Sequence, residues 1–422
     1  MIACFRLKSW ALVAVVACWL MDCRSSAAAA SEPGLFGIEK RLSGKFGGEL
    51  NLAALSGLGL RWHAELGDGP SRLNFSAETT GLTLRLEAAP TSDGGLHWHI
   101  TQGAGELSEL WPVLKTTLGK AAGDWVAGGK IEISGEGDWS PSTGPVGVVR
   151  FALRDGWARS DELAVELSGI MADVQSVDFK DGTLALGQSL HVAKITAAGV
   201  LAERLEVRFS LAKGWVFELA SADLDVLGGK ARINPFSFPL SAKSAEADAV
   251  VEGISLAELS SMLPSALSGA QGKLGGRLNL RWDIQGGLQI NTGGLAIVKS
   301  DDAVLTLAPT PGFLTSNIPR RIPLLPPWCG PLARWIAPEN PAYASLQAIE
   351  MGRAGLALDS LEVAFNTNRA DGERTATVRL QAHPVGIPLI DKVSIEVNLA
   401  GALTRVLQLG LDGRTRLNVR KP

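Results

Sequence analysis

His97-Trp98-His99 puts two imidazoles on the same side of the chain if that stretch is extended, because side chains alternate across a strand. Two neutral imidazoles are half of a zinc ligand set, and a third ligand close by would complete a usable one. No such ligand is evident in the neighbouring sequence, and Asp93 falls in a turn, so exposed strand histidines are the expectation and no metal is assigned. Asp301 and Asp302 are adjacent instead of being spaced for joint acid and base work, and surface turns account for them. There is no Gly-x-Ser-x-Gly elbow, no phosphate-binding Gly-x-x-x-x-Gly-Lys loop and no His-Glu-x-x-His helix. The paired glycines lie between strand-like runs and read as turns. The sequence therefore nominates no catalytic, cofactor-binding or metal-binding residue, and a protein that is not an enzyme is expected.

What the chain does carry is apolar residues at a spacing of two. Leu82, Leu84 and Leu86 alternate with Thr83 and Arg85; Leu205, Val207, Phe209 and Leu211 alternate with Glu206, Arg208 and Ser210. Val393, Ile395, Val397 and Leu399 do the same against Ser394, Glu396 and Asn398. Clean alternation predicts antiparallel strands with one buried and one wet face. Asp68-Gly69, Asp93-Gly94-Gly95, Asp181-Gly182 and Gly228-Gly229 supply turns at hairpin spacing. Two helices interrupt the strands. One is expected over Glu106 to Leu118, and one from Leu256 onward with Ser255 as its N-cap; Pro112 and Pro264 fall within them and should shorten or kink them. Between Pro309 and Pro341 the chain holds nine of its 21 prolines, with Phe313, Trp328 and Trp335 among them and Arg320, Arg321 and Arg334 interleaved. An apolar insert packed over the sheet is favoured there, and a membrane-facing element is the sharper alternative.

A chain of 422 residues suits two or three domains or one repeat array, and its net charge of -3 offers no basic field for nucleic acid. Arg6 and Lys8 precede the apolar stretch Trp10 to Met21, and Ala27 to Ala30 supply small residues for cleavage, so residues 1–30 read as an export signal. Cys18, preceded by a small residue, also fits a lipoprotein signal, and a retained anchor is the third option. Cys4, Cys18 and Cys23 lie in or beside this segment, which leaves Cys329 alone and without a disulfide partner.

The chain also repeats itself. Glu106-Leu107-Ser108-Glu109-Leu110-Trp111-Pro112 is echoed by Glu258-Leu259-Ser260-Ser261-Met262-Leu263-Pro264, and Gly128-Gly129-Lys130-Ile131 by Gly275-Gly276-Arg277-Leu278. Gly156-Trp157-Ala158 returns as Gly294-Leu295-Ala296, and Leu205-Glu206-Val207-Arg208-Phe209 as Leu361-Glu362-Val363-Ala364-Phe365. Echoes in constant order predict a duplicated β-rich module, with a first copy at 31–227 and a second at 228–422 that contains the insert 309–341.

Three stretches carry a resemblance to a known family: Gly228-Gly229-Lys230-Ala231-Arg232-Ile233-Asn234-Pro235 leading to Val251-Glu252-Gly253-Ile254-Ser255-Leu256, then Gly272-Lys273-Leu274-Gly275-Gly276-Arg277-Leu278, then Leu361 to Phe365 with Gly386-Ile387-Pro388-Leu389. From roughly Val226 to Arg420 the chain resembles the C-terminal region of the YdbH family, which is labelled a dicarboxylate-transport domain and grouped with AsmA-like envelope proteins such as TamB. The resemblance implies an elongated, curled antiparallel sheet with an apolar inner groove, in the periplasm or envelope of a Gram-negative bacterium. It implies a conduit for phospholipid acyl chains working with a small outer-membrane lipoprotein, with membrane contact and no cofactor. On that reading Leu205, Val207, Phe209, Val393, Ile395, Val397 and Leu399 line the groove, and Leu417 and Val419 form a terminal edge for the partner; an edge that Arg414, Arg416 and Arg420 protect against aggregation is the alternative. No arginine cluster supports a dicarboxylate ligand. The alternative is a structural or assembly protein of the envelope whose apolar faces meet one another and hold no lipid.

Overall fold

The computed structural model describes residues 44–400 apart from 52–58, 67–72, 93, 119–121, 141, 179–182, 198, 265, 284–286, 299–301, 323, 325–336, 367–374 and 388–389. The export signal with Cys18, the edge residues Leu417 and Val419, and Trp328, Cys329 and Trp335 of the insert lie outside the described residues. The chain is mostly antiparallel β-sheet, with twenty-two strands and three helices of regular length among the described residues. It divides into two compact units. One holds the residues up to Ala197 with Leu201–Asp223 and Asn234–Lys243; the other holds Ala198–Val200, Leu224–Ile233 and the chain from Ser244.

The first unit begins as a meander of β1 (Gly44–Asn51), β2 (Gly59–Leu66), β3 (Leu73–Thr79), β4 (Leu82–Pro90) and β5 (Leu96–Glu106), each paired antiparallel with the next. Helix α1 (Leu107–Leu118) follows, and then the long strands β6 (Val126–Ser140), β7 (Gly144–Ser160) and β8 (Val165–Asp178). β6 pairs with both β5 and β7, and β7 with β8. β9 (Thr183–Leu184) is a short flap on β8, which also pairs with β10 (Gln188–Ala197). β11 (Val200–Ala212) and β12 (Val216–Val226) come next. β13 (Gly229–Ile233) belongs to the second unit, and β14 (Phe236–Pro239) returns to pair with β12.

Register explains the core of this unit. Phe75, Leu86, Ile100, Gly135 and Val149 are successive cross-strand partners from β3 to β7, so one face is apolar across five strands. Phe75, Leu84, Leu86 and Trp98 are buried, and full burial of such a side chain stabilises by about 1.5–3 kcal/mol. Trp98 needs room, and Gly137 and Gly147 provide it: a Cβ on either would stand 2.7 or 2.8 Å from the indole ring. Leu107, Val113 and Leu114 of α1 pack with Leu110, Leu82 and Ile131, so the helix covers the end of this face nearest the β3–β4 turn.

In the second unit β13 pairs with β15 (Ser244–Ser255), β15 with β17 (Lys273–Asp283), and β17 with β18 (Gly287–Ile297). β18 pairs with β20 (Leu356–Asn366), β20 with β21 (Thr375–Pro384), and β21 with β22 (Val393–Ala400). α2 (Leu256–Met262) and β16 (Leu267–Gln271) interrupt the path from β15 to β17. β19 (Val304–Leu307) pairs with β16 and with the start of β20, and α3 (Pro341–Glu350) precedes β20.

The expected helices form, with adjustments. Ser255 caps α2 by accepting from the Glu258 N–H at 3.4 Å, and Pro112 sits inside α1. Pro264 lies beyond the end of α2, which stops at Met262 with Leu263 as C-cap, because proline lacks the N–H that a further turn requires. α3 was unread in the sequence; Asn340 caps it and Pro341 opens it, a favourable first helical residue.

The two strand-to-helix junctions begin alike, as Leu107-Ser108-Glu109-Leu110 and Leu256-Ala257-Glu258-Leu259. At each, a left-handed glycine of an earlier turn lies against the first helical turn: Gly81 (φ 77°) beside Glu109 and Gly228 (φ 69°) beside Glu258. Glu109, not Glu106, is thus the structural counterpart of Glu258. The echoed glycines do not keep their partners: Gly128 is paired with Trp157, whereas Gly275, which echoes it, is paired with Ala296 and not with Leu295. The last echo does not keep its place. The strand beside β18 is β20, carrying Leu361 to Phe365, whereas the strand beside β7 is β8, and Leu205 to Phe209 lie on β11.

Candidate functional site

The second unit presents one apolar face made by register alone. Ala231, Val251, Gly276, Leu295, Val363, Val378 and Val397 are successive partners across seven strands. A parallel row runs through Ile233, Ala249, Leu278, Gly293, Phe365 and Ala376. The other side carries Arg232, Asp248, Arg277, Glu362, Arg379 and Glu396, all exposed. Asn279 donates to Asp248 at 2.9 Å there, and Arg379 meets Glu396 at 3.6 Å. Such exposed pairs are worth little and mark this side as the wet one.

Burial along the apolar face is graded. At one end of the strands, α2, α3, β16 and β19 help to build a closed core of Val251, Ile254, Leu256, Leu274, Ala303, Leu305, Ile349, Leu356, Leu361, Leu380, Ala382 and Val393. Ile349, Leu356 and Ala382 have no exposed surface. Leu278, Leu295 and Val378 are half-buried against this core, and beyond them Ile233, Leu280, Ile290, Val363, Phe365 and Val397 are half-buried while Ala249 and Ala376 are buried. The same alternation that completes a core at one end leaves aliphatic surface partly in water at the other.

Of the residues nominated from sequence, Val393 is buried in the closed core, Ile395 packs against that core, and Val397 is half-buried beyond it. They face Ala382, Leu380 and Val378 respectively across β21. Leu399 is on the same strand, opposite Ala376, with its side chain outside the described residues. Leu205, Val207 and Phe209 belong to the first unit, where they are half-buried and alternate with exposed Glu206 and Arg208. Phe209 stacks on Phe217 at 5.6 Å, Phe217 tilts against Phe238 at 5.4 Å, and Phe238 stacks on Phe236 at 5.8 Å. The nominated set is therefore divided between two units.

Sequence reasoning missed Ile233, Leu278, Leu295, Val363, Phe365 and Val378 as members of the face. Their alternation was visible, but only register says which strands lie side by side. It also missed Glu350. This carboxylate ends α3 with 2% of its surface exposed, accepting from the N–H groups of Gly312 (3.2 Å), Leu314 (2.9 Å) and Thr315 (3.1 Å) and from the Thr315 hydroxyl (2.8 Å). Burial pushes its pKa up, but these donors outweigh burial and hold it below the ordinary glutamate value. Glu350 thereby fixes the start of the proline-rich segment, whose Leu314 packs against the closed core.

Two further carboxylates are held below their usual range by donors. Asp124 accepts from the Glu162 N–H at 2.7 Å and from the buried Ser160 hydroxyl at 2.6 Å, tying the entry of β6 to the β7–β8 turn. Asp173 accepts from Arg150 across β7 and β8, with Arg154 a more distant cation. Both are structural ties on exposed or half-exposed surface. His97 Nδ1 lies 2.9 Å from Asp138, and His383 Nδ1 lies 3.0 Å from Asp359. Among the described residues no group of three His, Cys, Asp or Glu stands ready to hold a metal. None of their helices is long and apolar enough to cross a membrane.

No curated protein and no solved structure matches the chain. A family model does, over residues 26–318. That span takes in the first unit, where the sequence reading found only an earlier copy, and stops short of Leu361 to Phe365 and Gly386 to Leu389. It covers more than half of the 422 residues, and the chain accordingly belongs to the YdbH-like family, described as the intermembrane phospholipid transport protein YdbH, a family of lipid transport and not of catalysis.

Proposed function

We propose that this protein carries phospholipid between membranes of the cell envelope by holding acyl chains against the half-buried apolar faces of its sheets. The observation that carries the reading is the row from Ala231 to Val397, aliphatic or glycine at every position, with exposed polar side chains on the reverse. Each CH₂ removed from water is worth about 0.8 kcal/mol, so moving a two-chain lipid unassisted costs on the order of 20 kcal/mol. A continuous aliphatic surface offsets much of that cost, and needs neither a cofactor nor a charged site.

The first unit is read as an earlier copy of the same device. Both units run strand, helix and strand again with a left-handed glycine against the helix start, and both helices cover one end of an apolar face. Residues 1–30 serve on this reading as the export signal, and the C-terminal edge with Leu417 and Val419 as the seat of a small lipoprotein partner. Removal of Arg414 to Pro422 should then lower co-purification of that partner.

Native mass spectrometry of the purified protein tests the central claim, with phospholipid-sized adducts expected. A photo-crosslinking side chain at Val378 should capture lipid, and one at the adjacent Arg379 should not. Equal labelling at both positions, or a lipid-free protein, would favour a structural envelope protein whose apolar faces close on one another.

A further inference from the structure

We propose that the second unit meets an anionic phospholipid membrane at the neck of its proline-rich segment, through Arg320, Arg321, Ile322 and Leu324. The inference deepens the lipid-carrier reading by naming where protein and bilayer touch, and it takes from that reading only the presence of a membrane. α3 sets the neck out. At the C-terminal end of the helix Glu350 accepts from Gly312, Leu314 and Thr315. At its N-terminal end the Asn340 side chain donates to the Pro319 carbonyl at 3.0 Å, and the Asn340 N–H to the Arg320 carbonyl at 2.8 Å. Residues 312–320 therefore run back along α3, whose ten residues at a rise of 1.5 Å span about 15 Å. Ile349 and Glu350 are buried whereas Pro341 is exposed, so the neck stands at the end of the helix farther from the closed core. There Arg321 is bridged to Glu339, and the Ile322 N–H donates to the Pro338 carbonyl at 3.0 Å.

The chemistry at that end differs from the polar side of the sheet. Ile322 is 39% and Leu324 60% exposed, and the adjoining Arg320 and Arg321 are exposed as well. On the sheet, exposed cations alternate with carboxylates, as Arg379 does with Glu396. Between Asp302 and Glu339 the chain has no acidic residue, yet it holds Arg320, Arg321 and Arg334, in a protein whose net charge is -3. A single exposed aliphatic side chain is ordinary. Exposed aliphatics joined to arginines, in a stretch without acid, have the composition of an interfacial element: the apolar side chains enter the boundary between headgroups and acyl chains, and the guanidinium groups take phosphate oxygens in pairs. An anionic bilayer supplies both partners on one surface. The neck is fixed by backbone hydrogen bonds and by Asn340, so docking needs no rearrangement of the closed core.

An environment-sensitive fluorescent side chain placed at Leu324 of the full chain reads the contact. Vesicles of phosphatidylglycerol mixed with phosphatidylcholine should shift its emission to the blue, and vesicles of phosphatidylcholine alone should not. Arg320→Gln combined with Arg321→Gln should raise the lipid concentration at half-saturation by about 30-fold, each basic residue near an anionic surface contributing roughly fivefold. The same probe at Leu186, a still more exposed leucine of the first unit, should stay unshifted. An equal shift with phosphatidylcholine alone or at Leu186, or indifference to the arginine changes, would overturn the proposal. So would a shift that grows with protein concentration without vesicles, which would make the occupant a second copy of the chain. Phospholipid adducts of the arginine variant should match those of the wild type. A protein that docks in this way but carries no adducts would remove the carrier reading and leave the docking surface in place.

Discussion

Glu350 is the one buried charged side chain among the described residues. Four donors converge on it. Glu350→Gln keeps the shape but turns an amide toward N–H donors, and should cost about 1–3 kcal/mol in urea denaturation. The acid dependence has a definite sign. Its native pKa lies below the ordinary value of 4.5, so the folded state gives up its proton more readily than the unfolded chain. Its stabilisation is therefore complete above about pH 4.5 and fades as pH falls through the lower native value. The wild type should lose stability relative to Glu350→Gln over that window; two parallel pH profiles would mean that Glu350 is not charged in the fold. Nothing in the sequence marked this residue. Its partners lie 35 to 38 positions earlier, in a segment where proline density hides local order.

At the scale of elements, period-two alternation was enough to read β4 and β22 with their apolar sides, and Ser255 announced α2; on β11 the alternation breaks at Ser210, which is buried and donates to Glu218. The pairing order was not legible, because alternation says which way a side chain points and not which strand lies beside it. α3 was missed for a related reason: its opening Pro341 closes a proline-rich run and looked like part of it. The glycines before α1 and α2 allow a comparison within one molecule. A Cβ on Gly81 would stand 2.6 Å from the Glu109 Cβ, which cannot retreat, whereas one on Gly228 meets the end of the flexible Glu258 side chain at 3.0 Å. Both positions have positive φ, which costs an L-residue roughly 1–2 kcal/mol. Gly81→Ala should therefore destabilise more than Gly228→Ala, and Ser255→Ala should cost about 1 kcal/mol through the lost cap. Denaturation midpoints give the order, and equal losses for the two glycines would show that the helix starts are not packed as described.

For the molecule as a whole, the question is whether an apolar face exists to complete a core or to stay available. β22 carries both situations four residues apart. Val393 is 9% exposed within the closed core beside Ala382, while Val397 is half-buried opposite Val378. An ionised carboxylate at Val393 would have to be desolvated among Leu380, Leu361 and their neighbours, so Val393→Asp should abolish folding. Val397→Asp keeps contact with water and should fold with a normal circular dichroism spectrum and a modest loss of stability. If the half-buried end carries acyl chains, the same charge lies in their path, and lipid co-purification and transfer between donor and acceptor vesicles should drop by an order of magnitude or more. Normal transfer by a folded Val397→Asp protein would remove this end of the face from the lipid path. Unfolding by Val397→Asp as severe as that by Val393→Asp would mean that the face is core throughout, and the lipid surface would have to be sought in the first unit, around Leu205, Val207 and Phe209.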